Sequence, residues 1–138
     1  MTSLVDTSVW VWSFRTPSIL DELRAMAARN RLATCPPVLF ELLHSARNGD
    51  EFDRIRLKFE DYPAVDITDA VWARALDVYG LLAAQGGAHQ RQVSHPDLLI
   101  AAAAELAGIP VLHYDADYDR IAAVTGQETR WVRPRGSL

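Results

Sequence analysis

Short apolar runs alternate with segments of helical period along the whole chain, and that alternation limits the folds open to it. Residues 2–5, 31–35, 64–67, 110–114 and 129–132 read as strands, too short for helices. Residues 17–29 read as a helix, with Ile19, Leu23, Met26 and Ala27 at helical spacing. Pro36-Pro37 opens a helix to about Ala46, because proline is tolerated in a first turn, and Asn48-Gly49 stops it. Residues 51–60 suit a charged, exposed helix. Thr68 is placed to cap a helix over 69–84, whose stripe of Val71, Ala75, Val78 and Leu82 makes it amphipathic. A polar loop at 86–95 leads to an alanine-rich helix at 97–107, closed by Gly108. Its nearly all-apolar surface marks that helix as buried. Residues 117–124 form a last short helix. Strands alternating with helices predict an α/β fold with a mainly parallel sheet. In such sheets ligands bind beyond the carboxyl ends of the strands.

At 138 residues the chain fits one domain, 1–138, with no repeat, low-complexity tract or linker. An apolar fraction of 49% is enough to build a core. No apolar run approaches the ~20 residues of a membrane span. The start lacks the basic residues of a signal peptide and meets an acid at position 6. The single cysteine, Cys35, excludes an internal disulfide and a cysteine-based zinc site. The expected location is the cytoplasm. The cations are thirteen arginines and one lysine, so contacts to phosphate or carboxylate are of the planar, bidentate kind. A net charge of −4 argues against a protein that coats nucleic acid, but it is compatible with an enzyme that has an acidic pocket.

Acidic residues recur at the edges of core-forming segments. Asp6 ends Ser3-Leu4-Val5, Glu41 lies among Val38, Leu39, Phe40, Leu42 and Leu43, Asp97 opens the alanine-rich helix, and Asp115 follows Pro-Val-Leu-His-Tyr, with Asp117 and Asp119 beyond it. Burying a carboxylate is costly unless it is paired or metal-bound, so this placement points to one shared cation site. Mg²⁺ and Mn²⁺ prefer oxygen ligands, and two or three carboxylates leave room for a phosphate oxygen and a water. No Walker-type glycine loop, Gly-x-Ser-x-Gly elbow or His-Glu-x-x-His is present, which removes nucleotide triphosphate binding, serine hydrolysis and zinc proteolysis as leading readings.

Four segments carry a family resemblance: Leu-Val-Asp-Thr-Ser-Val-Trp at 4–10, Pro-x-x-x-Glu-Leu at 37–42, Pro-Asp-Leu-Leu-Ile-Ala-Ala at 96–102 and His-Tyr-Asp-Ala-Asp-Tyr-Asp-Arg-Ile-Ala at 113–122. In order and spacing they resemble PIN domains, and most of all the VapC toxins of bacterial toxin–antitoxin pairs. The resemblance implies a five-stranded parallel sheet flanked by helices. It implies a metal-dependent endoribonuclease whose Asp6, Glu41, Asp97 and Asp115 bind Mg²⁺ or Mn²⁺, with Asp117 as an additional acid. Thr7 and Ser8 match the small hydroxyl residues that support the site. Tyr118 stands where the family's usual residue is Phe. The implied partners are an RNA substrate, a VapB-type antitoxin and a second copy of the chain in a homodimer.

Plainer readings stand beside these. Asp6 suits a helix N-cap, Asp97 complements a helix dipole, and Glu41 would then be a buried, salt-bridged acid. Asp117 is either a helix cap or a ligand, and Asp119 a solvated helix residue. Trp10, Trp12 and Phe14 read as core or interface aromatics before base-stacking ones. His89 and His95 lie in or beside the polar loop and read as solvated, and Arg15 and Arg91 as surface cations within reach of RNA phosphates. Two other functions compete: a protein-binding module with a degenerate site, and a PIN-type nuclease acting on DNA.

Overall fold

The computed structural model describes residues 1–138. Strands β1 (Ser3–Val5), β2 (Leu32–Ala33), β3 (Val111–His113) and β4 (Thr129–Trp131) form one sheet in the order β2-β1-β3-β4. Every neighbouring pair is parallel; Leu4 stands beside Ala33 on one side and Val111 on the other. The helices are α1 (Thr7–Ser13), α2 (Pro17–Ala28), α3 (Pro36–His44), α4 (Gly49–Glu60), α5 (Asp69–Ala84), α6 (His95–Ala107) and α7 (Asp117–Thr125). No helix is long and apolar enough to cross a membrane.

The sheet has four strands where five were expected. The run 64–67 contributes one parallel bridge, Thr34 to Ala64. The Thr34 N–H donates to the Pro63 carbonyl at 2.9 Å, and the Val65 N–H donates to the Thr34 carbonyl at 2.8 Å. Pairing stops there because Pro36 starts α3 two residues after Thr34, which leaves no partner backbone to extend along.

Helix α1 is foreshadowed only by the N-cap reading of Asp6, since its Thr-Ser-Val-Trp-Val-Trp run has strand-like composition. Asp6 decides the matter. Its backbone is extended, and its side chain accepts from the Ser8 N–H as an N-cap. Helix α4 starts two residues earlier than predicted because Asn48 caps it, accepting from the Glu51 N–H at 2.9 Å. Helix α6 starts at His95, with Ser94 as N-cap and Pro96 in the first turn. It ends at Gly108 in the left-handed region, φ 70°, a conformation that glycine adopts without penalty. The 86–95 loop contains a short 3-10 turn at His89–Gln92.

The core follows the predicted stripes. Leu4, Val5 and Val111 of the sheet are fully buried, as are Ile100, Ala103 and Ala104 of α6, and Val71, Ala75, Val78 and Leu82 of α5 are buried against them. The chain leaves β1 towards β2 and returns on the other side of β1 at β3. The carboxyl ends of β1 and β3 therefore flank the point where strand order reverses, the usual ligand crevice of an open α/β sheet. Asp6 directly follows β1, and Asp115 lies two residues beyond β3.

Candidate metal centre

Asp6 is 2% exposed and gripped through both oxygens. Its Oδ2 accepts from the Ser8 N–H at 3.0 Å and from the Ser8 hydroxyl at 2.6 Å, and its Oδ1 accepts from the Tyr118 hydroxyl at 2.6 Å. Ser8 Oγ in turn accepts from the Tyr114 N–H at 2.9 Å, which ties α1 to the segment after β3. The N-cap reading of Asp6 is thus correct, and it is compatible with a second role, because each carboxylate oxygen has more than one lone pair.

Helix α3 brings Glu41 to the same place. It is half-buried, and its Oε1 accepts from the Thr7 hydroxyl at 2.7 Å. No cation pairs with it, so it is not the salt-bridged acid of the plainer reading. Burial raises its pKa and the Asp6 and Asp115 charges add to the rise, partly opposed by the Thr7 hydrogen bond. Asp97 enters from the first turn of α6, where its N–H donates to Ser94 Oγ at 3.3 Å. It is 6% exposed. Burial first, then the charges of Asp6 and Asp115, push its pKa up to about 8.

Asp115 and Asp117 close the cluster from the β3–α7 turn. Asp115 Oδ1 accepts from the Asp117 N–H at 2.9 Å, a local turn that leads into α7, whose N-cap position is Ala116. Asp117 pairs with Arg120 at 2.6 Å, yet burial and the Asp115 charge still raise its pKa. Two groups result. Asp6, Glu41 and Asp97 each offer an oxygen with all three atoms within 4.8 Å of one another, and Asp97, Asp115 and Asp117 do the same. Asp97 belongs to both. The five acids line one open cleft of about 330 Å³ together with Thr7, Ser8, Trp12 and Ser94.

The donor set fits a hard divalent cation. Every candidate ligand atom is a carboxylate oxygen, and no Lys, Arg or His pairs with Asp6, Glu41, Asp97 or Asp115. Burial first, and neighbouring carboxylate charge after it, raise the proton affinity of Glu41, Asp97 and Asp117. Two positions sharing Asp97 could each receive an ion, with the open side of the cleft left for a substrate oxygen.

The other residues singled out in the sequence lie elsewhere. Asp119 is exposed and accepts from the Trp131 indole N–H at 3.1 Å. Trp10 is a core residue, edge-on to Phe59 at 4.7 Å, whereas Trp12 is half-buried, lines the cleft and meets Tyr114 edge-on at 5.7 Å. Phe14 is exposed. His89 contacts Gln85, and His95 packs on Tyr79 at 5.6 Å away from the acids. Arg15 and Arg91 are exposed and outside the cleft. Three contributors were missed: Ser94, the Tyr118 hydroxyl and His113. His113 is fully buried, its Nδ1 accepts from the Asp115 N–H at 3.2 Å, and burial lowers its pKa. Tyr118 carried a signal in the sequence, as a tyrosine in a position the motif usually fills with phenylalanine, and so did Ser94, in the Ser-x-x-Asp start of an apolar helix.

Comparison with known proteins agrees with this geometry. The model of the PIN domain family matches residues 3–124. Ribonuclease VapC18 of Mycobacterium tuberculosis (strain ATCC 25618 / H37Rv) is 38% identical over 138 residues, the whole of both chains. Ribonuclease VapC51 of the same strain is 39% identical over 135 residues, 98% of this chain and 96% of that protein. Among solved structures, VapBC-5 from M. tuberculosis, a member of the VapBC family of toxin-antitoxin systems, is 25% identical with a TM-score of 0.60, covering 96% of this chain and 98% of that one. VapBC2 from Rickettsia felis shares the fold at a TM-score of 0.76 and 15% identity, covering 96% of this chain and 100% of that one. This chain belongs to the PIN-domain family and, within it, to the VapC proteins.

Proposed function

We propose that this protein, a single PIN domain over residues 1–138, is the toxin of a toxin–antitoxin pair and a divalent-cation-dependent endoribonuclease. The observation that carries the reading is the pair of acidic groups sharing Asp97 at the switch point, without a cationic partner for four of the five acids. The ribonuclease names of the full-length relatives support the substrate class. Asp6, Glu41, Asp97 and Asp115 are the ligands we assign, with Asp117 assisting, and Mg²⁺ or Mn²⁺ is the ion. Such an ion, when bound, supplies Lewis acidity towards a water and offsets charge developing on the phosphate. The chain's own residues prepare for it. Asp6 is oriented by three donors and Glu41 by Thr7, while Asp97 sits at a helix start where its carboxylate faces both groups. Cleft-lining Trp12 bounds the open side on which RNA would lie.

The partners we propose are a VapB-type antitoxin, in keeping with the VapBC-5 assembly, and a second copy of this chain. RNA cleavage by the purified protein tests the reading. Cleavage should require added Mg²⁺ or Mn²⁺, stop in excess EDTA, and fall below about one hundredth of the parent rate in Asp6→Asn and Asp97→Asn, since removal of outer partners alone often costs that much. Parent-rate cleavage by either variant, or undiminished cleavage in EDTA, would overturn it.

A further inference from the structure

We propose that Tyr118 is a positioning residue for the cation: its buried hydroxyl fixes the Asp6 carboxylate, beside Asp97, in the orientation from which the ion is bound. This inference rests on the cation reading above and deepens it. Tyr118 is fully buried on α7, 112 residues from Asp6 in the sequence. Its hydroxyl oxygen lies 2.6 Å from Asp6 Oδ1 and 3.3 Å from Asp97 Oδ1. A phenol has one hydrogen, so the short contact to Asp6 is the principal bond and Asp97 is the alternative acceptor.

A buried tyrosine must find a partner for its hydroxyl, and a backbone carbonyl would serve for packing alone. Here the hydroxyl is placed between two carboxylates that belong to the same ligand group. Phenylalanine would fill the ring's volume equally well, so the oxygen's whole contribution is made at this point. Ser8 holds Asp6 Oδ2 through both its N–H and its hydroxyl, and Tyr118 holds Oδ1 from the opposite side. The carboxyl plane is thereby prevented from turning. The ring that carries the hydroxyl is itself fixed against His113, with centroids 4.9 Å apart and planes at 31°. Without that donor, the Oδ1 side of Asp6 would be unheld and the carboxyl group free to turn when no ion is present. The site would then have to reassemble each time an ion entered, and affinity would fall by the cost of reordering. Loss of an outer-shell partner of this kind typically weakens metal binding about 10- to 100-fold.

Calorimetric titration of MnCl₂ into the parent, Tyr118→Phe and Tyr118→Leu, at one pH and with near-ultraviolet circular dichroism to verify folding, tests the proposal. The parent should bind Mn²⁺. Tyr118→Phe should keep the parent spectrum and bind about 10- to 100-fold more weakly, and Tyr118→Leu, which loses the ring as well, should bind at least as weakly as Tyr118→Phe. Parent-like affinity in Tyr118→Phe would overturn the role of Tyr118 and leave the cation reading in place, whatever the Leu variant did. An affinity that falls only in Tyr118→Leu would assign the residue to packing and overturn the proposal in the same way. A parent that binds no Mn²⁺ would overturn both.

Discussion

At Asp97, burial and neighbouring charge act in the same direction. The side chain is 6% exposed, and Asp6 and Asp115 lie near it with no counter-charge, so its pKa rises to about 8. In the unfolded chain it would be an ordinary carboxylate near ~4. Between those values the folded state holds a proton that the unfolded state has lost, so this group favours folding at low pH and the benefit disappears as pH rises towards 8. In EDTA, the protein should therefore lose on the order of 3 to 4 kcal/mol of unfolding free energy between pH 5 and pH 8. Urea denaturation at a series of pH values measures it. Asp97→Asn should flatten that slope and be the more stable protein at pH 8; a steeper slope in the variant would contradict the account. The acids could be named from the sequence because carboxylates at the edges of apolar segments demand an explanation at the level of single residues. The Tyr118 hydroxyl could not be placed in the same way, because its acceptor lies 112 residues away and depends on how α7 packs.

Helix α6 shows how an element sets the position of a functional group. Ser94 caps it, Asp97 occupies its third position, four consecutive alanines from Ala101 are buried beneath the sheet's core, and Gly108 ends it. The cap fixes where the helix begins and so where Asp97 points. Ser94→Ala removes the acceptor for the Asp97 N–H and should cost about 1 kcal/mol of stability, measurable by urea denaturation at pH 5, where the Asp97 charge interferes least. An unchanged midpoint would mean that the packed alanines alone hold the helix start. Elements with a strong period, such as α5 and α6, were legible because burial repeats at every turn. Helix α1 was legible only through its cap, since its β-branched and aromatic residues favour a strand and Asp6 alone reverses that preference. The run 64–67 was overread for the opposite reason: its composition suits a strand, but β2 is too short to pair with it.

Across the whole molecule, the acidic cleft joins segments that share no local structure: Asp6 after β1, Glu41 in α3, Asp97 in α6, and Asp115 and Asp117 at the start of α7. The alternation of strands and helices predicts that such residues gather at the carboxyl edge of a parallel sheet, but it carries no information about the order β2-β1-β3-β4 that brings β1 and β3 side by side. That order makes the site a property of the folded state alone. An ion that binds these acids only when they converge stabilises the fold by mass action, by about 2.7 kcal/mol at a concentration one hundred times its Kd. For a chain of this size that corresponds to a rise in melting temperature of about 8 °C. Protons compete for the same oxygens, because Asp97 and Glu41 both hold theirs above the ordinary carboxylate range. The Mn²⁺-induced rise should therefore be larger at pH 8 than at pH 6, and Asp97→Asn, which removes the one acid common to both groups, should abolish most of it at either pH. Thermal melts of parent and variant, with Mn²⁺ and with EDTA, read this directly. A rise of equal size in Asp97→Asn would place the ion elsewhere on the protein. A rise that shrinks as pH increases would mean that carboxylate deprotonation does not govern binding.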